Sequence, residues 1–461
     1  MLGRSRAARD LLFMQAPCGI ETWGDDRMIQ SGMNHQSRLV VVDGVRTPFC
    51  KMGTALAGVS AQELGRMVTQ ALLHRTGIDP ERIDEVIFGC VGQPADAANI
   101  ARVIALRSGI PRHVPGFTVH RNCASGCEAI TQAYEKMTAG AGEIFIVGGT
   151  ESMSNYPLLY SQRAAMKFGQ LQKAKTMGGR LQAMMQFRPS DFAPQISLMM
   201  GLTDPVSDLN MGQTAEVVGR EAGLSRDDAD AYSLKSHQKA VAARERLAEE
   251  ITPVYVPPKF AKVVTEDVGP RAEQSMEQLA KLRAVFERRT GVVTAGNASQ
   301  ITDGAAALLV MSERKADELG LEPLGILSGY TYAGCDPARM GLGPVYAIAK
   351  AEERIGLGLD SADLIEINEA FAVQVLGCMK AALSAEFGRN ELGRENALGE
   401  IPEEKLNVNG GAIALGHPVG STGARLVITI LNELKRRNLK RGLVSLCVGG
   451  GQGAALWLER P

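Results

Sequence analysis

The chain of 461 residues carries almost no net charge, −1 at pH 7, and few cysteines for its length. Balanced charge excludes a protein that binds nucleic acid by bulk electrostatics. No apolar run approaches the roughly 18 residues that are needed to span a bilayer. Eight scattered cysteines are too sparse for a disulfide framework in a chain this long. The composition therefore predicts a protein with mostly free thiols in a reducing, cytoplasmic compartment.

Metal-ligand spacing is also lacking. Cys123 and Cys127 could form half of a metal site, but no second pair with ligand spacing follows them. We therefore predict that the protein binds no metal. Residues 1–37 fit no fold pattern, and their short apolar piece is too short for a secretory signal. We interpret them as a disordered extension, with an upstream start codon as the other explanation.

From residue 38 onward, strand and helix patterns alternate in an order that occurs twice. A strand that leads into a reactive residue and then a helix occurs at Cys123 and again at His417, and a strand followed by consecutive glycines occurs at 148–149 and again at 449–451. Self-similarity of this kind indicates a duplication. Alternating strands and helices predict an α/β layered fold with functional residues at the strand ends.

Hydrophobic periodicity gives the positions of the individual elements. Strands are predicted at 38–48, 85–89, 116–120, 143–147, 305–311, 324–328, 364–368, 442–446 and 454–458. One helix is predicted to begin at about 60, and two others span 99–107 and 343–355. The helices that follow Cys123 and His417 are predicted to end at 137 and 434. We expect a first half at 38–154 that is completed by 291–320, an inserted region at 155–290, and a second half at 321–461.

The inserted region begins with a stretch, 158–190, that we call the lid. The lid carries six basic residues and no acidic one, and its methionines interleave with them. One interpretation is a helix that packs its methionines on the core and leaves a solvated basic face. The others are a dock for an anionic ligand phosphate, for an anionic membrane surface or for a partner subunit. Methionine also suits a site that accepts variable apolar chains.

Cys123 is the first candidate for chemistry. It follows a strand at the start of a helix, where the helix dipole and unpaired N–H groups favour thiolate over thiol. Its neighbours are small, which leaves room for a substrate carbonyl. Taken alone, the motif also fits a buried cysteine that only packs.

His417 is the natural partner for Cys123, because it lies between Gly416 and Pro418 in a glycine-rich turn that opens a helix. It can take a proton from the thiol, and the nearby helix N-terminus should keep its imidazole neutral. Asn368 ends its own strand and could hold a water or a carbonyl, although a capping asparagine fits equally well.

Cys447 supplies a second sulfur, beside Gly449 and the two glycines that follow it. Bare backbone there can approach a ligand and donate N–H bonds to an oxygen on which charge develops. A cysteine is a plausible proton carrier if a carbon–carbon bond forms or breaks beside a thioester.

Motifs along the chain from Arg38 to Glu459 resemble those of thiolases, the acetyl-CoA acyltransferases. These motifs are Asn122-Cys-Ala-Ser-Gly126, Gly149-Thr-Glu-Ser-Met153, 295–304 with Ala295-Gly-Asn-Ala-Ser, Asn368-Glu-Ala-Phe-Ala372, and the segments around His417 and Cys447. The resemblance implies two βαβαβαββ halves in an αβαβα layered arrangement with an inserted loop domain. It also implies coenzyme A as a co-substrate, with no permanently bound cofactor.

The resemblance assigns a role to each motif residue. Cys123 would be acylated and His417 would activate it. Asn368, through a water, and His417 would form one oxyanion hole, and the N–H groups of Cys123 and Gly449 would form the other. Cys447 would shuttle the α-carbon proton. Four further positions match residues that line the pantetheine tunnel in relatives, namely Ala295, Ser299, Ala370 and Phe371.

The resemblance leaves the acyl chain length of the substrate and the partner subunits open. Short-chain thiolases often carry a histidine soon after Glu-Ser-Met-Ser, and here the run is Asn155-Tyr-Pro-Leu-Leu159. Together with the methionine-rich lid, this favours medium or long 3-ketoacyl-CoA over acetoacetyl-CoA and a role in fatty acid β-oxidation. The family implies a homodimer or homotetramer, or association with a hydratase/dehydrogenase subunit. A decarboxylating ketoacyl synthase and a non-catalytic scaffold are the remaining alternatives, against which Cys447 and the complete set of reactive residues argue.

Overall fold

The computed structural model describes residues 38–461, so the extension predicted at 1–37 lies outside it. The strands are β1 (Leu39–Arg46), β2 (Cys50–Lys51), β3 (Glu85–Gly89), β4 (Gly116–Val119), β5 (Ile144–Ser152), β6 (Leu158–Leu159), β7 (Gln195–Ile196), β8 (Val254–Val256), β9 (Lys262–Val264), β10 (Thr302–Ser312), β11 (Gly325–Gly334), β12 (Leu364–Ile367), β13 (Arg441–Val448) and β14 (Gln452–Glu459). The helices are α1 (Ala61–Thr76), α2 (Ile100–Arg107), α3 (Ser125–Thr138), α4 (Gln162–Lys173), α5 (Met177–Met185), α6 (Ser197–Gly201), α7 (Met211–Glu221), α8 (Arg226–Ala242), α9 (Arg244–Ala248), α10 (Met276–Ala280), α11 (Glu313–Leu319), α12 (Gly343–Ile355), α13 (Ala372–Leu383), α14 (Ala385–Glu391), α15 (Ala412–Leu415) and α16 (Thr422–Arg437).

The main sheet shows the duplication directly. Its strand order is β12-β13-β14-β11-β1-β10-β5-β3-β4, and β2 pairs with β10. The halves join where Val40 and Val41 of β1 pair with β11. Outward from this join, each half has two antiparallel pairings followed by a parallel one. The predicted α/β fold with two related halves is confirmed.

Three apolar cores separate the layers. Along β10, Leu309 belongs to the core shared with α1 and α2, whereas its neighbour Leu308 belongs to the core around α3 and α16. Along β14, Leu456 faces the α16 side and Trp457 faces the α12 side. Because both faces of these strands are buried, each carries a continuous apolar run, and each buried side chain contributes roughly 1.5–3 kcal/mol. The two helices that follow the reactive segments thus lie in the middle layer.

The starts of α3 and α16 touch through glycines. A methyl group at Gly126 would lie 2.6 Å from the backbone nitrogen of Ala424, and one at Gly423 would lie 2.5 Å from that of Cys127. Such distances are sub-van der Waals, so only glycine permits this approach. The contact brings the turn before α3, which carries Cys123, near the turn before α16, which carries His417.

Two local expectations are wrong. The glycine pair at 148–149 does not follow a strand but lies inside β5, which runs to Ser152. Another backbone approaches there, because a methyl group at Gly149 would lie 1.8 Å from Gly420 O. The second-half counterpart of β4 is also reduced, since Leu406 forms only an isolated parallel bridge with Ile365.

The elements between β5 and β10 include seven helices, from α4 to α10, and two small antiparallel pairs, β6 with β7 and β8 with β9. None of the helices within residues 38–461 is both long enough and apolar enough to cross a membrane.

Candidate active site

Cys123 lies in the turn between β4 and α3. Asn122 before it has a positive φ of 43°, and its Nδ2 donates a 2.7 Å hydrogen bond to Gly449 O. This bond ties the turn to the far side of the sheet join, more than three hundred residues away in sequence. The backbone N–H groups of Gly449 and of Cys123 itself lie near the Cys123 sulfur, where they lower the pKa of the thiol. Two donors from opposite halves of the chain therefore converge on one sulfur.

The resting Cys123 is a thiol rather than the thiolate that its helix position led us to expect. Burial raises its pKa to about 11, and the two N–H donors, which lower the pKa, do not compensate. Desolvation of a thiolate in this turn thus outweighs the stabilisation by the two N–H groups. A base must remove the proton when substrate arrives.

His417 is held from several directions. Its backbone N–H donates to Thr302 Oγ1 at 3.1 Å, and its Nδ1 lies 2.6 Å from Thr422 Oγ1. Because Thr422 Oγ1 donates its own hydrogen to Pro418 O at 3.0 Å, the hydrogen-bond pattern assigns the ring hydrogen to Nδ1. Nε2 is then the unprotonated nitrogen, and it accepts a 3.4 Å hydrogen bond from Asn368 Nδ2.

The lowered pKa of His417 favours a neutral imidazole. Burial, first, and the charge of Arg425, second, lower the His417 pKa to about 3. The ring can accept a proton only transiently, so the proton taken from a thiol is readily returned.

Asn368 directly follows β12, and its backbone N–H donates to Ser445 O at 2.9 Å. Its side chain is fully buried, and Oδ1 has no hydrogen-bond partner among the side chains and backbone of residues 38–461. A buried amide oxygen left without a protein partner is costly unless a water or ligand uses it. The side chain therefore suits the water-binding role rather than the capping role.

Cys447 lies near the end of β13, buried in an apolar cluster that also contains Ala370, Phe371 and Met340. Burial, followed by the proximity of Cys123, raises its pKa well above the usual value for a thiol. After the strand, Gly450 and Gly451 have positive φ values of 85° and 76°, which turn the chain back into β14. This turn presents the Gly449 N–H to Cys123.

The positions expected to line the substrate tunnel are only partly brought together. Ser299 N donates to Ala370 O at 2.9 Å, and a bridge pairs residue 298 with Phe371. The same segment continues to Ile301, which pairs with His417. Three of the four positions thus lie beside the reactive turn, whereas Ala295 is exposed in the preceding turn.

Several functional contacts were not predicted. Glu151 is buried and accepts hydrogen bonds from Gly92 N at 2.8 Å and Gly420 N at 2.9 Å. It lies in a motif that the sequence identified, but its partners are distant in the chain. Thr422 and Asn122 also lie within recognised motifs, and their orienting roles depend on geometry that no sequence pattern revealed.

The lid differs from the first of its interpretations. Its methionines do not pack on the core: Met166, Met177, Met184 and Met185 are 59%, 84%, 59% and 76% exposed. An aromatic cluster instead joins α4 to the chain after α5, with Phe168 and Phe187 4.9 Å apart. This leaves the methionines, Leu158 and Leu181 as an outward apolar surface.

All seven cysteines within residues 38–461 are free. In the same part of the chain, no group of three or more histidine, cysteine or acidic side chains is placed to hold a metal ion.

A layered fold with duplicated halves, and a cysteine turn that packs against the turn of a buried imidazole, are the arrangement of an acyltransferase that uses a cysteine nucleophile. The chain matches the family models described as "Thiolase, N-terminal domain" over residues 39–314 and "Thiolase, C-terminal domain" over residues 321–460. The chain therefore belongs to the thiolase family.

Individual relatives agree with this assignment. The chain is 43% identical over 425 residues to a 3-ketoacyl-CoA thiolase of Pectobacterium atrosepticum. This alignment covers 92% of this chain and 96% of the relative. It is 41% identical over 428 residues to the 3-ketoacyl-CoA thiolase of Serratia proteamaculans, covering 92% and 97%.

Solved structures are similar throughout. The Bacillus anthracis acetyl-CoA acetyltransferase superimposes with a TM-score of 0.80 at 38% identity, covering 92% of this chain and 99% of that one. The human mitochondrial 3-ketoacyl-CoA thiolase in complex with CoA gives a TM-score of 0.79 at 34% identity, covering 92% and 98%.

Proposed function

We propose that this thiolase cleaves 3-ketoacyl-CoA with coenzyme A to give acetyl-CoA and an acyl-CoA shortened by two carbons, reversibly, and that medium and long acyl chains are its preferred substrates in β-oxidation. The observation that carries the chemistry is the hydrogen bond from Asn122 Nδ2 to Gly449 O, which brings Gly449 to the Cys123 turn, where the N–H groups of both residues lower the pKa of the thiol. The His417–Asn368 contact supports a second oxygen-binding position.

In the first half-reaction, the Cys123 sulfur attacks the 3-keto carbon and its proton passes to His417 Nε2. The keto oxygen takes up negative charge beside the N–H groups of Cys123 and Gly449. The bond between C2 and C3 then breaks, and its electron pair becomes the enolate of acetyl-CoA. Asn368 and the protonated His417 stabilise the enolate oxygen, and Cys447 gives its proton to C2. Acetyl-CoA leaves, and the shortened acyl group remains on Cys123.

In the second half-reaction, the Cys447 thiolate takes the proton of the coenzyme A thiol. The coenzyme A sulfur attacks the acyl carbon, and the same two N–H groups hold the oxyanion. Cys123 leaves as a thiolate and recovers its proton from His417. The high pKa of Cys447 makes its thiolate a strong base, which suits a group that must protonate one carbon and deprotonate an incoming thiol.

Chain-length preference is the finer part of the proposal. The relatives named 3-ketoacyl-CoA thiolase, the missing histidine after Ser154 and the apolar lid support longer substrates. The similarity to a Bacillus anthracis acetyl-CoA acetyltransferase supports the alternative, a short-chain acetoacetyl-CoA thiolase. Thiolysis of acetoacetyl-CoA and of a long 3-ketoacyl-CoA, with Cys123→Ser as control, distinguishes them. A higher kcat/KM for the long chain is expected, and activity confined to acetoacetyl-CoA would contradict it.

The proposal extends to organisation and setting. The division into halves at 38–154 with 291–320 and at 321–461, around an insert at 155–290, follows the repeated strand order. A homodimer or homotetramer, with a hydratase/dehydrogenase subunit as partner, is the proposed assembly, and free cysteines support a cytoplasmic setting. Sedimentation of the purified chain, alone and with such a subunit, tests the assembly.

For the lid, the proposed contact is an anionic membrane surface. Lys173, Lys175 and Arg180 are exposed, as are Met177 and Leu181 between and beside them. Exposed apolar side chains surrounded by basic ones are the pattern of a helix that lies in a membrane interface. Within the lid no acidic side chain opposes these charges.

Vesicle binding tests the lid proposal. Changing Lys173, Lys175 and Arg180 to glutamine should weaken binding to phosphatidylserine vesicles by roughly 100-fold, at about 1 kcal/mol per charge. The matched control replaces three exposed basic residues outside the lid, Arg82, Lys435 and Lys440, and should bind like the wild type. Equal loss in both variants, or binding only to a partner subunit, would contradict a membrane contact through the lid.

A further inference from the structure

Glu369 is a buried carboxylate to which the reaction above gives no role. It directly follows Asn368 and is 1% exposed. Its two oxygens accept four hydrogen bonds from side chains and backbone of other segments. The donors are Tyr232 Oη at 3.1 Å, Asn407 Nδ2 at 3.0 Å, Ser236 Oγ at 2.7 Å and Ile413 N at 3.2 Å.

These donors connect the carboxylate to both sides of the site. Ile413 belongs to α15, which immediately precedes the turn of His417. Asn407 also donates to Ile367 O and accepts from Ile367 N, each at 2.9 Å, so it is fixed to the end of β12. The carboxylate therefore bridges the end of β12, just before Asn368, and the segment that leads into the His417 turn.

Close packing around the carboxylate leaves it little freedom. A methyl group at Gly411 would lie 2.3 Å from the Glu369 carboxyl carbon. The Ser236 hydroxyl, from α8, fills the remaining side and also accepts from Gly411 N at 3.2 Å. A glycine at this position is what allows the chain before the reactive turn to run against the carboxylate.

Asn368 and His417 differ in how they are held. The His417 ring has its own anchor in Thr422, and its backbone has one in Thr302. The side chain of Asn368, in contrast, has a contact with His417 and an unpartnered oxygen. Movement of the loop after β12 would therefore displace Asn368 more than it would reorient His417.

We infer that Glu369 is a positioning residue, whose carboxylate holds Asn368 at the distance from His417 that stabilisation of the enolate requires. The inference rests on the proposed function, because only carbon–carbon cleavage uses the Asn368 side of the site. Transfer of an acyl group between Cys123 and coenzyme A uses the N–H groups of Cys123 and Gly449 instead.

Glu369→Gln tests this role. The glutamine amide has one accepting oxygen, so its NH2 group must face two of the four donors. Each pair of donors includes either the Ile413 N–H or the Asn407 NH2, and neither of these can become an acceptor, so one hydrogen bond is replaced by a contact between two donors. Displacing a catalytic group by about 1 Å costs on the order of 100-fold in rate. We expect kcat for 3-ketoacyl-CoA cleavage to fall by that order with KM within about threefold of the wild type. Exchange of labelled coenzyme A with the shortened acyl-CoA should stay within about threefold.

Two further variants complete the design. Glu250→Gln is the matched control, because Glu250 is an equally buried carboxylate whose partners, Arg46 and Thr429, touch none of the site residues. It should leave both reactions unchanged. If Glu369→Gln does not fold, Ser236→Ala tests the same role, because it removes one donor to the carboxylate. It should lower the cleavage rate by a smaller factor and leave the exchange rate unchanged.

The outcomes separate the two levels of inference. Loss of cleavage with retained exchange supports the positioning role. Cleavage that stays within threefold, or cleavage and exchange that fall together, overturns it in favour of no role or a general structural one. A wild-type protein that exchanges coenzyme A but does not cleave 3-ketoacyl-CoA would instead refute the proposed function.

Discussion

Alkylation of Cys123 provides the sharpest test of the protonation states in the resting site. Burial raises the Cys123 pKa to about 11 and lowers that of His417 to about 3. A thiol with a raised pKa forms thiolate only as the pH increases, and at pH 8 the thiolate fraction is about 10⁻³. An imidazolium–thiolate pair, formed by internal proton transfer, would be populated on the order of only 10⁻⁸. Free thiolate therefore exceeds the ion pair throughout the neutral range.

The expected result is an alkylation rate that rises about tenfold per pH unit, without a plateau, from about pH 6 to about pH 9. The assay is the second-order rate of iodoacetamide reaction, followed by loss of activity and by peptide mapping that distinguishes Cys123 from Cys447. His417→Gln should follow the same line within about threefold, since the neutral imidazole contributes little to the resting thiolate.

A plateau that begins below neutral pH in the wild type and disappears in His417→Gln would refute this reasoning. It would mean that the two residues form a resting ion pair, and that the two N–H donors to the sulfur outweigh its burial. The mechanism would then begin from a preformed thiolate.

Three further changes have defined outcomes. Asn368→Ala should lower kcat for cleavage by about 10²–10³ with a small change in KM, as measured by steady-state thiolysis, because an oxyanion donor is lost; an unchanged kcat would exclude it from the site. Thr422→Val should lower kcat by about 10-fold, since the Nδ1 hydrogen bond that orients His417 is removed. A fall in kcat to the level of Cys123→Ser is not expected. Gly423→Ala should destabilise the fold by about 1–3 kcal/mol in chemical denaturation, because its methyl group would lie 2.5 Å from a backbone nitrogen of α3. Gly58→Ala, where the methyl group meets no atom within 4 Å, is its control.

The regular elements were largely predictable from the sequence because their signals are local. The apolar spacing over 343–355 matches α12 at both ends, and the strand at 85–89 matches β3. Such patterns depend on which faces are buried, and both strand faces here are. The reactive residues were identifiable because glycine-rich turns mark the positions where backbone and ligand must approach closely.

The remaining features depend on contacts between distant parts of the chain. Tyr232 and Glu369 are 137 residues apart in sequence, and no spacing rule joins them. The thiolate predicted for Cys123 is not favoured, because the sequence shows its position at a helix start but not the burial that raises its pKa. One interpretation of the lid was a helix with its methionines on the core, but the contact between Phe168 and Phe187, which sets how the lid packs, joins separate elements and is not visible in the sequence.

The central claim is that Cys123 carries the shortened acyl group between the two half-reactions. The most direct measurement is mass spectrometry of protein mixed rapidly with a 3-ketoacyl-CoA in the absence of free coenzyme A. We expect one equivalent of acetyl-CoA to be released, and the peptide containing Cys123 to carry an acyl group two carbons shorter than the substrate chain. Acyl label on Cys447, or on Cys123 with the full chain length, would contradict the account.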